Sequence, residues 1–447
     1  MSSVVRNMVE AREVLDRLSQ HILVDGYHVV MDLQRSRGSY LYDARSDRYI
    51  LDFFTNFATC PIGYNHPKLA TIEFREKLAD VATNKPANSD IYTQVYAEFV
   101  ETFSRIAIPA SHARHLFFVE GGSVAVENAL KTAFDWKVRK NFARGLSEEK
   151  GRQIIHLKNA FHGRTGYTLS LTNTADPRKT QYFPKFDWPR ITCPMLSFPV
   201  TDAVVAQVER LEEQAVEEIQ RALVERKDDI AALIIEPIQG EGGDNHFRPE
   251  FLRKLRRLAD ENEFLLICDE IQTGVGTTGA MWAWQHTGIV PDIFAFGKKT
   301  QVCGIAVSDR IDDVDSVFKV SSRINSTWGG NLTDMYRATK YFEIIAAENL
   351  VENARVVGEH LRVKLQAIGE EMPHLVTNVR GKGLFLALDL PNTEIRGKAL
   401  QACLNEGLMA LASGSRAIRM RPALNLKTAE ADEGIGKLRR ALQSLAG

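Results

Sequence analysis

Reactive side chains follow short apolar runs in the middle of this chain. Asp269 comes directly after the run at residues 264–268, and Lys298 follows the run at 293–296 after one glycine. Such runs are typical of strands that are buried on both faces of a parallel sheet. The carboxyl ends of parallel strands meet at one edge, where α/β enzymes bind their ligands. The sequence therefore predicts a carboxylate and an amine at one mouth.

Two further stretches predict an anion site and an aromatic surface at the same edge. Gly122 and Ser123 follow a third apolar run and precede a predicted helix, while Phe161 and His162 come shortly after a fourth run. A helix N-terminus with a glycine-rich turn binds phosphate through free backbone N–H groups. Pyridoxal phosphate (PLP) requires an amine for a Schiff base, a carboxylate that keeps its ring nitrogen protonated, a phosphate cradle and a ring to stack on. The set as a whole fits this cofactor.

Taken singly, these residues have more ordinary interpretations. A lysine after a strand is usually a solvated charge, an aspartate there is usually a turn or cap residue, and Gly-Gly-Ser before a helix is often a tight turn with an N-cap. Residues 274–279 match GxGxxG, but the first glycine lies six residues after Cys268, which disfavours a dinucleotide site. Residues 297–300 resemble the end of a P-loop, but its first glycine is replaced by Asp292.

The elements that must position these side chains alternate along the chain. The apolar runs lie at 116–119, 154–157, 232–235, 264–268 and 293–296. Helical stretches at 126–139, 212–226 and 249–261 separate several of them. Strands and helices in alternation indicate a mostly parallel sheet covered by helices. We therefore predict a large α/β domain around this sheet.

The two ends of the chain predict a smaller α+β domain. The first 35 residues look helical, and residues 39–43 and 48–53 flank a polar turn as in a β-hairpin. A long helical segment at 333–369 precedes further short strands and helices. The predicted division is an N-terminal segment that contributes to the small domain (1–60), a large PLP-binding domain (61–331) and a C-terminal small domain (332–447).

Composition limits the partners. The chain of 447 residues has 56 Lys and Arg against 57 Asp and Glu, so its charge gives no indication of nucleic acid or an anionic membrane. Its five cysteines are dispersed, and no Cys/His spacing suits zinc, so we expect no metal and a reducing, cytoplasmic location. No signal-peptide core or membrane-spanning run of about 20 apolar residues is found. The expected partners are small molecules and other subunits.

Longer motifs carry a resemblance to a known family. They are residues 121–131 (GGSVAVENALK), 161–165 (FHGRT), 236–243 (EPIQGEGG), 269–274 (DEIQTG), 291–293 (PDI), 380–384 (RGKGL) and 418–422 (IRMRP). In this order, over most of the chain, they resemble the class III (ω-amino-acid) aminotransferases of PLP fold type I. Within the family, residues 297–304 and 326–331 look most similar to enzymes that act on the ε-amino group of L-lysine.

The chain also departs from the family pattern. Residues 300–303 (TQVC) replace the usual glycine cluster after the cofactor lysine, and Ala423 replaces the second proline of a Pro-Pro pair. Two adjacent lysines make the anchor ambiguous. The family spacing from residues 291–293 selects Lys298 over Lys299.

The resemblance implies roles around the cofactor ring. Lys298 is the Schiff-base lysine and then the general base of the 1,3-proton shift, and Asp269 pairs with the pyridinium nitrogen. Phe161 stacks on the ring with His162 beside it, and Gln272 lies near the ring hydroxyl. A free lysine has a pKa of about 10.4, so the neutral amine that this role needs requires a lowered pKa.

The resemblance also implies a shared phosphate site and a homodimer. Gly122 and Ser123 hold the phosphate, and Thr327 reaches it from the partner subunit. Arg164 binds the carboxylate far from the reacting amine, and Arg419 binds the α-carboxylate of L-glutamate or 2-oxoglutarate. When the donor has no carboxylate there, a third substrate-binding residue, a glutamate at position 241 (Glu241), neutralises the arginine.

The implied reaction moves the ε-amino group of L-lysine to 2-oxoglutarate and gives 2-aminoadipate 6-semialdehyde and L-glutamate. Another ω-amino-acid transaminase, acting on ornithine or 4-aminobutyrate, is the first alternative, together with a PLP aminomutase. A non-catalytic PLP-fold regulator would lack the anchor lysine or the pyridinium partner, and candidates for both are present. A dinucleotide oxidoreductase would bind no PLP.

Overall fold

The computed structural model describes residues 9–445. The strands are β1 Tyr40–Asp43, β2 Arg48–Asp52, β3 His115–Val119, β4 Gln153–Leu157, β5 Arg190–Ile191, β6 Ile230–Ile235, β7 Ile238–Gln239, β8 Asn245–His246, β9 Leu265–Asp269, β10 Ile293–Phe296, β11 Cys303–Val307, β12 Thr377–Lys382, β13 Phe385–Asp389, β14 Leu408–Met409, β15 Leu411–Ser413 and β16 Ala417–Met420. The helices are α1 Val14–Ser19, α2 Thr55–Ala58, α3 Ile72–Thr83, α4 Gln94–Ile106, α5 Gly122–Ala143, α6 Gly166–Leu171, α7 Asp202–Glu225, α8 Pro249–Glu261, α9 Leu332–Ala347, α10 Leu350–Glu371, α11 Thr393–Asn405 and α12 Thr428–Gln443. Short 3₁₀ turns include Pro177–Lys179 and Lys298–Thr300.

A seven-stranded sheet in the order β3-β11-β10-β9-β6-β4-β5 organises the large domain. β10, β9, β6, β4 and β5 pair in parallel, and only β11 runs antiparallel to its two neighbours. All five predicted strands are present, which confirms the α/β prediction. β11 was not predicted because Gly304 interrupts its short apolar run. A side chain there would meet the carbonyl oxygen of Phe117 at 2.3 Å, so the strand pairing itself requires glycine.

The sheet separates two parts of the hydrophobic core. Trp136 of α5 packs in the same cluster as Ile267, whereas the adjacent Leu266 belongs to the cluster on the other face, with Phe103 and Phe296. Adjacent strand residues point to opposite faces of the sheet, so a strand that is covered on both faces is apolar throughout. This double burial holds the carboxyl edge of the sheet rigidly beneath the reactive side chains.

Two smaller sheets occupy the other part of the molecule. One is antiparallel in the order β12-β13-β16-β15, and the other has the order β1-β2-β14. The predicted hairpin is confirmed as β1 and β2. β2 also pairs in parallel with β14, which joins the N-terminal hairpin to the C-terminal segment. This pairing agrees with the proposed small domain, whose boundaries after residues 60 and 331 stay a prediction.

Two helix predictions were wrong in extent. Among the first 35 residues, the structure forms a helix only at Val14–Ser19, preceded by a 3₁₀ turn, and residues 1–8 lie outside the described part. The chain near Met31 instead runs beside the hairpin and bridges to Asp43. The long segment at 333–369 is divided into α9 and α10, because Asn349 adopts a left-handed conformation with φ of 50°. Within residues 9–445, no helix has the length and apolar character needed to span a membrane.

Candidate active site

A cavity of about 520 Å³ opens at the carboxyl ends of β9 and β10. Its lining includes eight of the predicted site residues: Gly122, Ser123, Phe161, His162, Arg164, Asp269, Gln272 and Lys298. These residues come from four different strand–loop connections. The fold therefore brings together the amine, the carboxylate, the aromatic ring and the helix N-terminus at one edge of the sheet, as the spacing predicted.

The two adjacent lysines have different surroundings. Lys298 lines the cavity, and its amine has no hydrogen-bond or ion-pair partner among residues 9–445. Lys299 is buried, and its Nζ donates to the backbone carbonyl of Gln272 at 2.6 Å. Lys298 also has φ of 52°, a strained conformation of the kind that occurs at functional sites. The geometry thus offers Lys298, and not Lys299, to a ligand in the cavity.

The environment of Lys298 favours a neutral amine. Burial, and then the positive charge of Arg419, lowers the pKa of Lys298 to about 8. Asp269 and Glu236 oppose this effect but do not cancel it. An amine with this pKa is neutral in about a tenth of molecules at pH 7, far more than a free lysine, and a nucleophile and a proton acceptor both require the neutral form.

Asp269 is the last residue of β9 and is held in place by two donors. Its Oδ2 lies 2.9 Å from Nδ1 of His162, and its Oδ1 accepts from the backbone N–H of Ile271 at 3.1 Å. Asp269 and His162 are both buried. The backbone N–H of His162 in turn donates to Oγ1 of Thr172 at 3.0 Å. His162 therefore orients the carboxylate, which keeps free lone pairs for one more donor.

The predicted phosphate site lies at the start of α5. Gly121 has φ of 98° and leads into Gly122, the first residue of this 22-residue helix, whose first backbone N–H groups have no acceptor within the helix. The hydroxyl of Ser123 lies 2.7 Å from the hydroxyls of both Thr165 and Thr168. Because that hydroxyl is already engaged, an anion at this site would be held mainly by backbone N–H groups and by the helix dipole.

Arg419 and Glu241 form an ion pair beside the cavity. Arg419 Nη2 donates to Glu241 Oε2 at 2.8 Å, and Arg419 Nη1 donates to Oε1 of Gln272 at 3.3 Å. Arg419 is buried in β16, whereas the Glu241 side chain is 25% exposed. Burial opposes ionisation of Glu241, but the positive charges of Arg419 and Lys179 outweigh it and hold the pKa of Glu241 below its usual value.

The remaining predicted residues differ in how close they lie to the cavity. Arg164 is exposed at the cavity mouth, with its guanidinium carbon 5.9 Å from the ring centre of Phe161. Thr327 is exposed and is not part of the cavity of its own chain, and its proposed contact with a second subunit stays a prediction. Gln272, expected near the ring hydroxyl, lines the cavity while its Oε1 faces Arg419 and Arg421.

Glu236 also lines the cavity, although it is not among the site residues predicted from the sequence. It is buried directly after β6, and its carboxylate accepts from the backbone N–H of Phe161 at 3.0 Å and from that of Gly240 at 2.9 Å. Burial raises the pKa of Glu236 to about 7. The signal was available, since Glu236 follows its strand as directly as Asp269 ends β9. Lys179 was missed for a different reason, because no strand end or motif marks it.

The GxGxxG stretch forms a series of turns and does not lead from a strand into a helix. Its residues Val275, Gly276 and Gly279 all have positive φ. A side chain at Gly276 or Gly279 would meet Val351 or Arg355 at 2.9 Å, so the glycines serve close packing against α10. The structure therefore gives no support to a dinucleotide site here.

Comparison with known proteins identifies the class. The family model for class III aminotransferases matches residues 23–442, and the chain belongs to this family, whose fold is PLP fold type I. It is 48% identical over 454 residues to the L-lysine-epsilon aminotransferase of Mycobacterium tuberculosis, with 99% of each chain covered. It is 47% identical over 440 residues to that of Amycolatopsis lactamdurans, with 97% and 96% covered. A solved structure of the M. tuberculosis lysine aminotransferase superimposes with a TM-score of 0.95 at 48% identity, covering 98% of this chain and 100% of that one.

Pyridoxal phosphate is the cofactor of this family, and the residues of the cavity fit it. Lys298 supplies an unpaired amine, and Asp269 supplies an oriented, buried carboxylate in the lining of the cavity. The start of α5 supplies an anion site, and Phe161 supplies an aromatic face. The chain is accordingly a PLP-dependent transaminase.

Proposed function

We propose that this enzyme transfers the ε-amino group of L-lysine to 2-oxoglutarate, giving 2-aminoadipate 6-semialdehyde and L-glutamate. Relatives named L-lysine-epsilon aminotransferase are 46–48% identical to this chain over nearly its whole length, which supports lysine as the donor. The observation that carries the proposal is the Glu241–Arg419 ion pair beside Lys298, because it answers a problem that arises when an ω-amine donor is paired with 2-oxoglutarate.

The problem is that one site must accept two kinds of reacting carbon. The ε-carbon of lysine carries no carboxylate, whereas the reacting carbon of glutamate does. A permanently free Arg419 would attract the α-carboxylate of lysine and present the wrong amine. A permanently neutralised Arg419 would reject glutamate. Glu241 resolves the conflict as a gate whose state the substrate selects: it pairs with Arg419 for lysine and leaves it for glutamate.

Arg164 supports the proposed orientation of both substrates. It lies exposed at the cavity mouth, on the side of Phe161, and can bind the carboxylate that is remote from the reacting carbon. A guanidinium fits a carboxylate through two parallel hydrogen bonds, which fixes orientation as well as affinity. In lysine this is the α-carboxylate, and in glutamate it is the γ-carboxylate. Each substrate then presents its reacting carbon to Lys298.

The remaining roles concern protons and charge. When bound, the cofactor supplies an electron sink for the carbon that loses a proton. Asp269, oriented by His162, would accept a hydrogen bond from the protonated ring nitrogen. Lys298, with a pKa lowered to about 8, would take the proton from the substrate carbon and return it one position further on.

Isotopic labelling tests the donor and the position of attack. The enzyme is incubated with 2-oxoglutarate and lysine labelled with ¹⁵N at either the ε or the α position, and the glutamate formed is analysed by mass spectrometry. Label should appear in glutamate only from the ε position. Ornithine and 4-aminobutyrate in parallel reactions should give lower kcat/KM values. Transfer of the α label, or a higher kcat/KM with another ω-amine, would overturn the proposal.

We also propose that the active form is a homodimer with shared sites. The loop that contains Thr327 is anchored where Asn88 Nδ2 donates to the carbonyl of Gly330 at 3.0 Å. Ile91 and Tyr92 come shortly after Asn88 in the chain, and their side chains are 71% and 74% exposed. Large apolar side chains exposed in this way support a second copy of the chain as their cover.

We propose that the enzyme is cytoplasmic. Its five free cysteines support this location, because thiols stay reduced in that compartment.

A further inference from the structure

The carboxylate of Glu241 lies between two cations. Its Oε2 accepts from Arg419 Nη2 at 2.8 Å, and its Oε1 accepts from Lys179 Nζ at 2.5 Å. Lys179 ends a 3₁₀ turn at Pro177–Lys179, and its side chain is 18% exposed. It reaches Glu241 from a segment 62 residues earlier in the chain and binds a different carboxylate oxygen from the one that Arg419 binds. The gate therefore has three members rather than two.

The second cation matters most when the gate opens. If Glu241 leaves Arg419 to make room for a substrate carboxylate, its own carboxylate loses a cationic partner in a region where only 25% of the Glu241 side chain is exposed. A buried charge without a partner carries a large desolvation cost. Lys179 already contacts the oxygen that does not face Arg419. It can keep a charge-assisted hydrogen bond to Glu241 after the bond to Arg419 is broken.

We propose that Lys179 is a positioning residue that holds Glu241 in the open state of the gate and so permits dicarboxylate binding. This inference rests on the proposed function, since it assigns the open state to glutamate and 2-oxoglutarate. In the closed state Glu241 has two partners, and in the open state it has Lys179 alone. Loss of Lys179 therefore destabilises the open state more than the closed state.

One alternative is direct contact between Lys179 and a substrate. Its Nζ lies 5.8 Å from the ring centre of Phe161, a cavity residue, so it is close enough to the cavity for this contact to be tested. The two possibilities differ in their dependence on Glu241. A positioning role disappears when Glu241 is absent, whereas direct binding of the substrate persists.

The test measures binding of glutarate, a dicarboxylate with no group that reacts. Titration calorimetry on the holoenzyme should show about tenfold weaker binding for Lys179→Met, equivalent to about 1.4 kcal/mol. Lys179→Arg, which keeps the cation, should restore most of the affinity. Arg178→Met is the matched control, because Arg178 is a neighbouring cation that is 82% exposed and paired with Asp176. It should leave binding unchanged.

Two further measurements decide the mechanism. In a Glu241→Ala background, Lys179→Met should cause no additional loss of glutarate affinity, and a loss that persists would overturn the positioning role in favour of direct binding. In stopped-flow half-reactions, Lys179→Met should slow the glutamate step about tenfold and change the lysine step by less than about twofold. Equal slowing of both steps would indicate a general structural effect of the substitution and would overturn the proposal. The glutarate titration uses no amine donor, so failure of the lysine assignment would be seen separately, in the labelling experiment.

Discussion

Glu241→Ala tests the gate because it removes only the carboxylate that covers Arg419. In the structure Arg419 would then keep one hydrogen bond in the cavity region, to Oε1 of Gln272 at 3.3 Å. The buried guanidinium would be left without an anionic partner and would attract any carboxylate that enters. For lysine, the only carboxylate is the one beside the wrong amine.

The size of the effect follows from the charges. Two unit charges 4 Å apart at an effective dielectric constant of about 20 attract each other by about 4 kcal/mol. If desolvation of the substrate carboxylate offsets about half, misdirected binding is favoured by about 2 kcal/mol, or roughly thirtyfold. Lysine bound in this way presents its α-amine and does not react productively. We therefore expect the lysine half-reaction at saturating lysine to slow about thirtyfold, with a similar fall in the apparent dissociation constant for lysine.

The glutamate half-reaction should behave differently. Glutamate needs Arg419 free, so Glu241→Ala should leave that step within about threefold of the unaltered enzyme. Stopped-flow absorbance of each half-reaction, with each amino acid added separately, measures both. Glu241→Gln keeps the size of the side chain and removes the charge, so it separates electrostatics from volume and should resemble Glu241→Ala. If both steps slow equally, or if only the glutamate step suffers, the gate reasoning is wrong.

Four other predictions follow from the same structure. Lys298→Ala should abolish turnover, and borohydride reduction of the unaltered holoenzyme with peptide mapping should place the cofactor on Lys298; an adduct on Lys299 would contradict the assignment. Asp269→Ala should lower kcat by about a hundredfold or more in a folded protein, and near-normal kcat would argue against the pairing with the ring nitrogen. Burial lowers the pKa of His112 to about 4, below the unfolded value of 6.5. As pH falls from 6.5 towards 4, the unfolded chain therefore binds a proton at this histidine before the folded protein does. The free energy of unfolding should fall over this range by up to about 3 kcal/mol. Thermal unfolding across this range should show a shallower decline for His112→Gln, and identical profiles would refute the assignment. Sedimentation at assay concentration should show a dimer at least, and a fully active monomer would exclude the proposed sharing of Thr327.

The predictions that succeeded from sequence were those with a local signal. The strands were predictable because burial on both faces makes them continuously apolar, and Asp269 and Lys298 were predictable as neighbours because both follow such strands. Helix ends have a weaker local signal. Nothing in residues 333–369 marks the break before α10 except Asn349, which takes a left-handed conformation more easily than most residues. The N-terminal segment keeps a helix only at Val14–Ser19, and near Met31 the predicted helix is replaced by a bridge to Asp43 of the hairpin.

The sequence by itself determined the class of fold, the edge of the sheet that carries the chemistry and the residue types found there. The family spacing selects Lys298 over Lys299, but only the tertiary structure supplies the physical reason, since Gln272 offers its carbonyl to Lys299. Tertiary structure also decided that Glu241 lies between Arg419 and Lys179, which are 178 and 62 residues away in the chain. Adjacency in sequence constrains backbone direction only locally, whereas these contacts arise where separate loops converge above the sheet. The proposed specificity of the enzyme rests on those converging loops.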